Sequence, residues 1–179
     1  MAIVYLDFIW SILALVYDIG KLGEIAWYLW PLVLICPVFP LFLAFVFIEV
    51  VKNKPVNQFL LAFAAIPSAV FGFSALLFYP MLMYNLGFDI LGAGQILWVL
   101  FYGLQGWYLV FSQKIKPKAI VFVNCYLITK LALDYKFLSF GYLDLNILSA
   151  SQLTWLFVAA LASLVVINLI VISRSITGR

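Results

Sequence analysis

The sequence predicts an all-α fold, a polytopic transmembrane helix bundle of about six spans, and three observations lead there. Of 179 residues, 68% are hydrophobic and 9% are charged, more apolar surface than a soluble domain of this size can bury. Apolar runs approaching the roughly 20 residues that cross a bilayer recur along the chain. Between them lie short polar groups that differ in their lysine and arginine content. No repeat or low-complexity segment interrupts the pattern, so residues 1–179 are expected to form a single transmembrane domain.

The first run, Ala2 to Tyr17, is short and contains Asp7. It has neither a basic leader nor a small-residue cleavage site, so a retained span is expected rather than a signal peptide. Asp18, Gly20, Lys21, Gly23 and Glu24 make the turn that follows. The second span runs from Pro31 to Val51, with Trp27, Tyr28 and Trp30 ahead of it as interfacial anchors at the headgroup level. Pro31 suits a first helical turn, where its missing amide costs nothing. Pro37 and Pro40 lie deeper and are expected to break the helix, leaving carbonyls that need other donors.

Lys52, Asn53, Lys54 and Pro55 open a hairpin into the third span, Val56 to Met83. Ala64, Ser68 and Gly72 recur there at four-residue spacing, which lets another backbone approach closely, and Pro67 is expected to bend it. Tyr84 to Gly94 reads as a loop. The fourth span, Gln95 to Phe111, contains Gly103, Gln105 and Gly106 and ends at Lys114, Lys116, Pro117 and Lys118. The fifth, Ala119 to Leu133, encloses Asn124 and Lys130. A loop from Asp134 to Asn146 precedes the sixth, Leu153 to Ile172, where Ala159 and Ser163 offer another close-packing face.

Charge sets the orientation. Lys52, Lys54, Lys114, Lys116, Lys118, Arg174 and Arg179 fall in the loops and tail of one side, and Lys21 and Lys136 on the other. Because lysine and arginine accumulate in cytoplasmic loops, both termini are expected in the cytoplasm. A five-span alternative lays Met1 to Tyr17 in the interface and leaves the other loops unchanged.

Ionisable residues at bilayer depth need a partner or water, so they are the candidate ligand or lipid contacts. Asp7 reads as a proton or cation site or, preferably, as a carboxylate solvated near the headgroups. Lys130 and Asp134, four apart on one helical face, read as an ion pair with Lys130 snorkelling outward or as a counter-charge for an anionic headgroup. Tyr135 adjoins them. Glu49 reads as an interfacial residue. Gln95, Gln105, Asn124, Thr154 and Asn168 are candidates for hydrogen bonds between helices.

The sequence has no histidine, which removes histidine-ligated haem, histidine zinc sites and Ser-His-Asp triads. Cys36 and Cys125 have no metal or disulfide spacing and are expected to be packing thiols. No metal site, catalytic residue or cofactor is expected. The net charge of +3 is too small and dispersed for a nucleic-acid face.

Tyr17, Trp27, Tyr28, Leu29 and Trp30, then Cys36 and Pro37, with the later pair Asp134 and Tyr135, resemble the YpjA-type family of small multi-spanning membrane proteins. That family shows a tyrosine-rich first span, a Pro-Trp-Tyr-Leu-Trp-like entry to the second, and a Ser-Pro or Cys-Pro step. Ala26 replaces the leading proline here, and Ile35 stands where an acidic residue often precedes that step. The resemblance implies a multi-pass membrane protein and no known activity. In size and span number the chain is also similar to the substrate-capture subunits of energy-coupling vitamin transporters, without their signature residues.

The functional expectation is a non-catalytic accessory or assembly subunit in the prokaryotic cytoplasmic membrane. Its partners would be membrane lipid, other integral membrane subunits or further copies of itself, with no nucleic acid. The alternative is a small transporter or binding component for an amphiphilic molecule or lipid.

Overall fold

The computed structural model describes the backbone of residues 1–22, 35–88, 90–137, 139–140, 143–144 and 147–177. Among these residues there are six helices: α1 (Ala2–Leu22), α2 (Ile35–Val51), α3 (Gln58–Leu86), α4 (Ile90–Ser112), α5 (Pro117–Phe137) and α6 (Ala150–Thr177). Between α5 and α6 a small antiparallel hairpin pairs Ser139 with Asp144 and Phe140 with Leu143. Each helix falls on one of the six apolar runs. The expected anchors Trp27, Tyr28 and Trp30, and Pro31, lie outside the described residues.

The third helix is the hub, with α2, α4, α5 and α6 all packed on it, while α1 packs on α2. Two helices are long and apolar enough, by length and composition, to cross a membrane: α3, and α6 over Ala150–Arg174. The apolar window of α3 is 72% buried and that of α6 is 39% buried. The first is therefore a core helix and the second a peripheral one. Ala2–Val16 and Val38–Val51 are shorter apolar helices.

The tightest seam joins α3 to α4, and glycine makes it possible. A Cβ on Gly72 would run into the Cα of Gly103, and one on Gly106 would lie 2.5 Å from the Ala69 nitrogen and 2.8 Å from the Ala65 oxygen. Ala64, Ser68 and Gly72 are all buried in α3, and the face of α4 that receives Ser68 and Gly72 is formed by Gly103 and Gly106. In the sixth helix Ala159 is half-buried, and Ser163 is buried with its hydroxyl donating to the Ala159 carbonyl at 2.7 Å.

Helix ends are satisfied by the chemistry their sequences supply. The Asn57 side chain accepts from the amides of Phe59 at 3.0 Å and Leu60 at 3.2 Å and so caps α3. Ser149 and Gln152 cap α6 reciprocally, Gln152 N–H to Ser149 Oγ and Ser149 N–H to Gln152 Oε1. Gln152 Oε1 also accepts from Asn85 at 3.0 Å, tying the start of α6 to the end of α3. At the opposite end the Lys116 amide donates to Gln58 Oε1 at 2.8 Å, tying the start of α5 to the start of α3. With the start of α6 held at the end of α3, the two helices run antiparallel. Together the ties gather Lys52, Lys54, Lys114, Lys116, Lys118 and Arg174 at one end of the bundle.

Four expectations about the backbone are corrected. The first helix runs through Asp18, Gly20 and Lys21 to Leu22, and the fifth through Asp134 to Phe137, where a turn and a loop are expected. Tyr84 to Gly94 is mostly helical, because α3 continues to Leu86 and α4 begins at Ile90. Gly87, at φ 95°, is the turn residue, its amide closing on the Met83 carbonyl at 2.9 Å. Pro40 is buried inside α2, which continues through it; Pro37 lies within the described helix, and residues 23–34 ahead of it are outside the described residues.

Candidate functional site

Polar side chains inside the bundle concentrate at two places. The first is on α5, where one helical turn places Lys130 over Asp134. The Lys130 ammonium donates to both carboxylate oxygens, at 2.7 and 2.6 Å, and lies 5.8 Å from the centroid of the Phe71 ring of α3. Its side chain is 1% exposed, so the expected outward snorkel is overturned. The aliphatic stem and charged head both turn inward because a carboxylate and an aromatic face await them there. The side chain of Tyr135 lies outside the described residues.

The second place is where α1 meets α4. Asp7 is fully buried, not solvated near headgroups as expected, and Gln105 Nε2 donates to its Oδ1 at 3.0 Å. The same face of α1 carries Val4 and Ser11, also buried, at the three- and four-residue spacing of one helical stripe. Trp10 stacks on Trp98 of α4 with centroids 4.6 Å apart, and Phe8 meets Phe45 of α2 edge-on at 5.6 Å. Asp7 thus sits on the buried stripe of α1, a helix that packs chiefly on α2 and meets α4 through Gln105 and Trp98.

Its satisfaction is incomplete. Asp7 Oδ2 and Gln105 Oε1 are both buried without a hydrogen-bond partner among the described residues, as are Ser68 Oγ and Trp98 Nε1. Other buried hydroxyls follow the ordinary helical solution of donating one turn back: Ser11 to Asp7 and Ser74 to Val70. Glu49, half-buried near the end of α2, also has its Oε2 buried and unpartnered among the described residues.

No protein family matches this chain, and neither a curated protein nor a solved structure matches it. The chemistry of the site must therefore be read from its own residues. Among the described residues no three His, Cys, Asp or Glu side chains converge as metal ligands. Cys125 is exposed on α5, contrary to the packing role expected of it, and Cys36 has no described side chain.

Asn124 and Asn168 do meet, each amide donating to the other's oxygen at 2.7 and 3.0 Å. Thr154 bonds within its own helix, to Ala150. Asn168→Leu is expected to lower stability by about 0.6 to 2 kcal/mol, measured by thermal unfolding in detergent, because Asn124 loses its partner on α6. Nothing in the sequence pairs Asp7 with Gln105 or Phe71 with Lys130. One available signal is the three-residue spacing of Gly103 and Gly106, which forms the smooth face opposite Gly72.

Proposed function

We propose that this protein is a non-catalytic integral membrane protein, a six-span bundle with cytoplasmic termini that acts as an accessory or assembly subunit against partner membrane proteins and lipid. The observation that carries this reading is the outer surface of the two peripheral helices. Tyr5, Ile9, Ile12, Leu13 and Val16 of α1, and Trp155, Val158, Leu161, Val165 and Leu169 of α6, are all exposed. Apolar surface of that extent requires lipid or another protein against it. The basic residues gathered at one end support the cytoplasmic orientation, since that is where the positive-inside rule would place them. Membership of the YpjA-type family belongs to the same proposal.

Partner binding is tested by native mass spectrometry of protein released directly from membranes, with crosslinking in the intact membrane. A reproducible complex with a second membrane polypeptide or a second copy is the expected result. A bare monomer carrying neither protein nor lipid, with no crosslinked species, would remove the basis of the proposal. The rival reading, a carrier for a small amphiphile around Lys130, Asp134 and the second span, has less support. The Lys130 ammonium is already engaged by both oxygens of Asp134.

A further inference from the structure

We propose that Asp7 and Gln105 form a proton-binding site inside the bundle, with a single proton bridging Asp7 Oδ2 and Gln105 Oε1. The inference follows from an inventory of donors. An ionised carboxylate only accepts hydrogen bonds, and a glutamine amide has one accepting oxygen. The Nε2 to Oδ1 bond at 3.0 Å uses one oxygen of the acid, which leaves Oδ2 and Oε1 as two buried acceptors, neither with a donor among the described residues. A proton on Oδ2 cancels the charge and converts that oxygen into the donor that Oε1 lacks. Acid and amide then form a doubly hydrogen-bonded pair in which both buried acceptors are satisfied.

Among the described residues, α2 and α4 supply no substitute for the proton. The described residues of α2 and α4 include no lysine or arginine, and the only charged side chain on either is Glu49, near the end of α2. The titratable groups of α4 are Tyr102 and Tyr108, and α1 itself carries Tyr5 and, about three turns or more beyond Asp7, Tyr17, Asp18 and Lys21, with the amino terminus ahead of it. A buried carboxylate held by one neutral amide is costly. Loss of the proton therefore leaves a charge and two unpartnered lone-pair groups at the seam between α1 and α4. The docking of α1 is thus coupled to proton uptake, loosening as pH rises and tightening as it falls.

The test uses the full chain in lipid nanodiscs, titrated from mildly acidic to mildly alkaline buffer. Dicyclohexylcarbodiimide, which modifies protonated carboxyls in apolar surroundings, should label Asp7 in acid and lose that labelling in alkali, with the site assigned by peptide mass spectrometry. Infrared difference spectra should show a protonated carboxyl band that disappears in Asp7→Asn and moves to higher frequency in Gln105→Leu, where the carbonyl loses its donor. Asp7→Asn can form an amide pair with Gln105, so it should fold and its melting temperature should depend less on pH than that of the wild type. Absence of a protonated Asp7 band at every pH would overturn the proposal. So would stabilisation by sodium over choline at fixed pH that is lost in Asp7→Asn, which would mark a metal-ion site.

Discussion

Asp134→Ala is expected to destabilise the bundle by about 3 to 5 kcal/mol, the cost of leaving one member of a buried ion pair without its counter-charge. Lys130 is 1% exposed and donates to both oxygens of Asp134, so truncating the acid takes the paired carboxylate away from a buried ammonium. The single change Lys130→Met should cost somewhat less, because Asp134, toward the end of α5, is slightly more exposed than its partner. The double variant Lys130→Met with Asp134→Leu should regain most of the loss, since replacing a buried pair by apolar residues is often neutral. Thermal unfolding of all three in one detergent decides the matter. If the double variant is as unstable as Asp134→Ala, the pair contributes specific stability beyond mutual neutralisation.

Gly106→Val is the second large effect expected, about 1 to 3 kcal/mol from overpacking or more where backbone must move. Its new Cβ would press on Ala69 nitrogen and Ala65 oxygen at 2.5 and 2.8 Å. These are main-chain atoms that no rotamer change can displace, so α4 would have to back away from α3. Gly94→Ala supplies the contrast. Nothing lies within 4 Å of a Cβ at that position, and an exposed helical glycine changed to alanine should add about 0.5 to 1 kcal/mol. Equal melting temperatures for Gly106→Val and the wild type would show that the α3–α4 contact does not limit stability.

The all-helical architecture is legible in the sequence because hydrophobic run length and loop charge are local properties of a chain. The stripe Ala64, Ser68 and Gly72 announces that some backbone approaches α3 closely, yet it cannot name the partner. Spacing describes one face, and only the packed bundle shows that Gly103 and Gly106 lie opposite. Asp7 escapes sequence reading for a related reason. A carboxylate so close to Met1 reads as near an interface by distance along the helix, whereas its burial depends on α2 and α4 closing around it. The four-residue spacing of Lys130 and Asp134 does identify the pair, but which way the pair points depends on Phe71, a ring on another helix. The anchors Trp27, Tyr28 and Trp30 lie outside the described residues and take no part in this comparison.

The bond from Gln105 to Asp7 spans 98 positions of sequence. In a chain made from its amino end at about 5 to 20 residues per second, that separation is roughly 5 to 20 s of synthesis. On the membrane reading proposed above, the first helix therefore reaches the bilayer well before the amide that will hold it exists. Its acid carries an insertion cost of about 2.5 to 3.5 kcal/mol through that interval, so α1 is the helix most in need of shelter by the insertion machinery until α4 emerges.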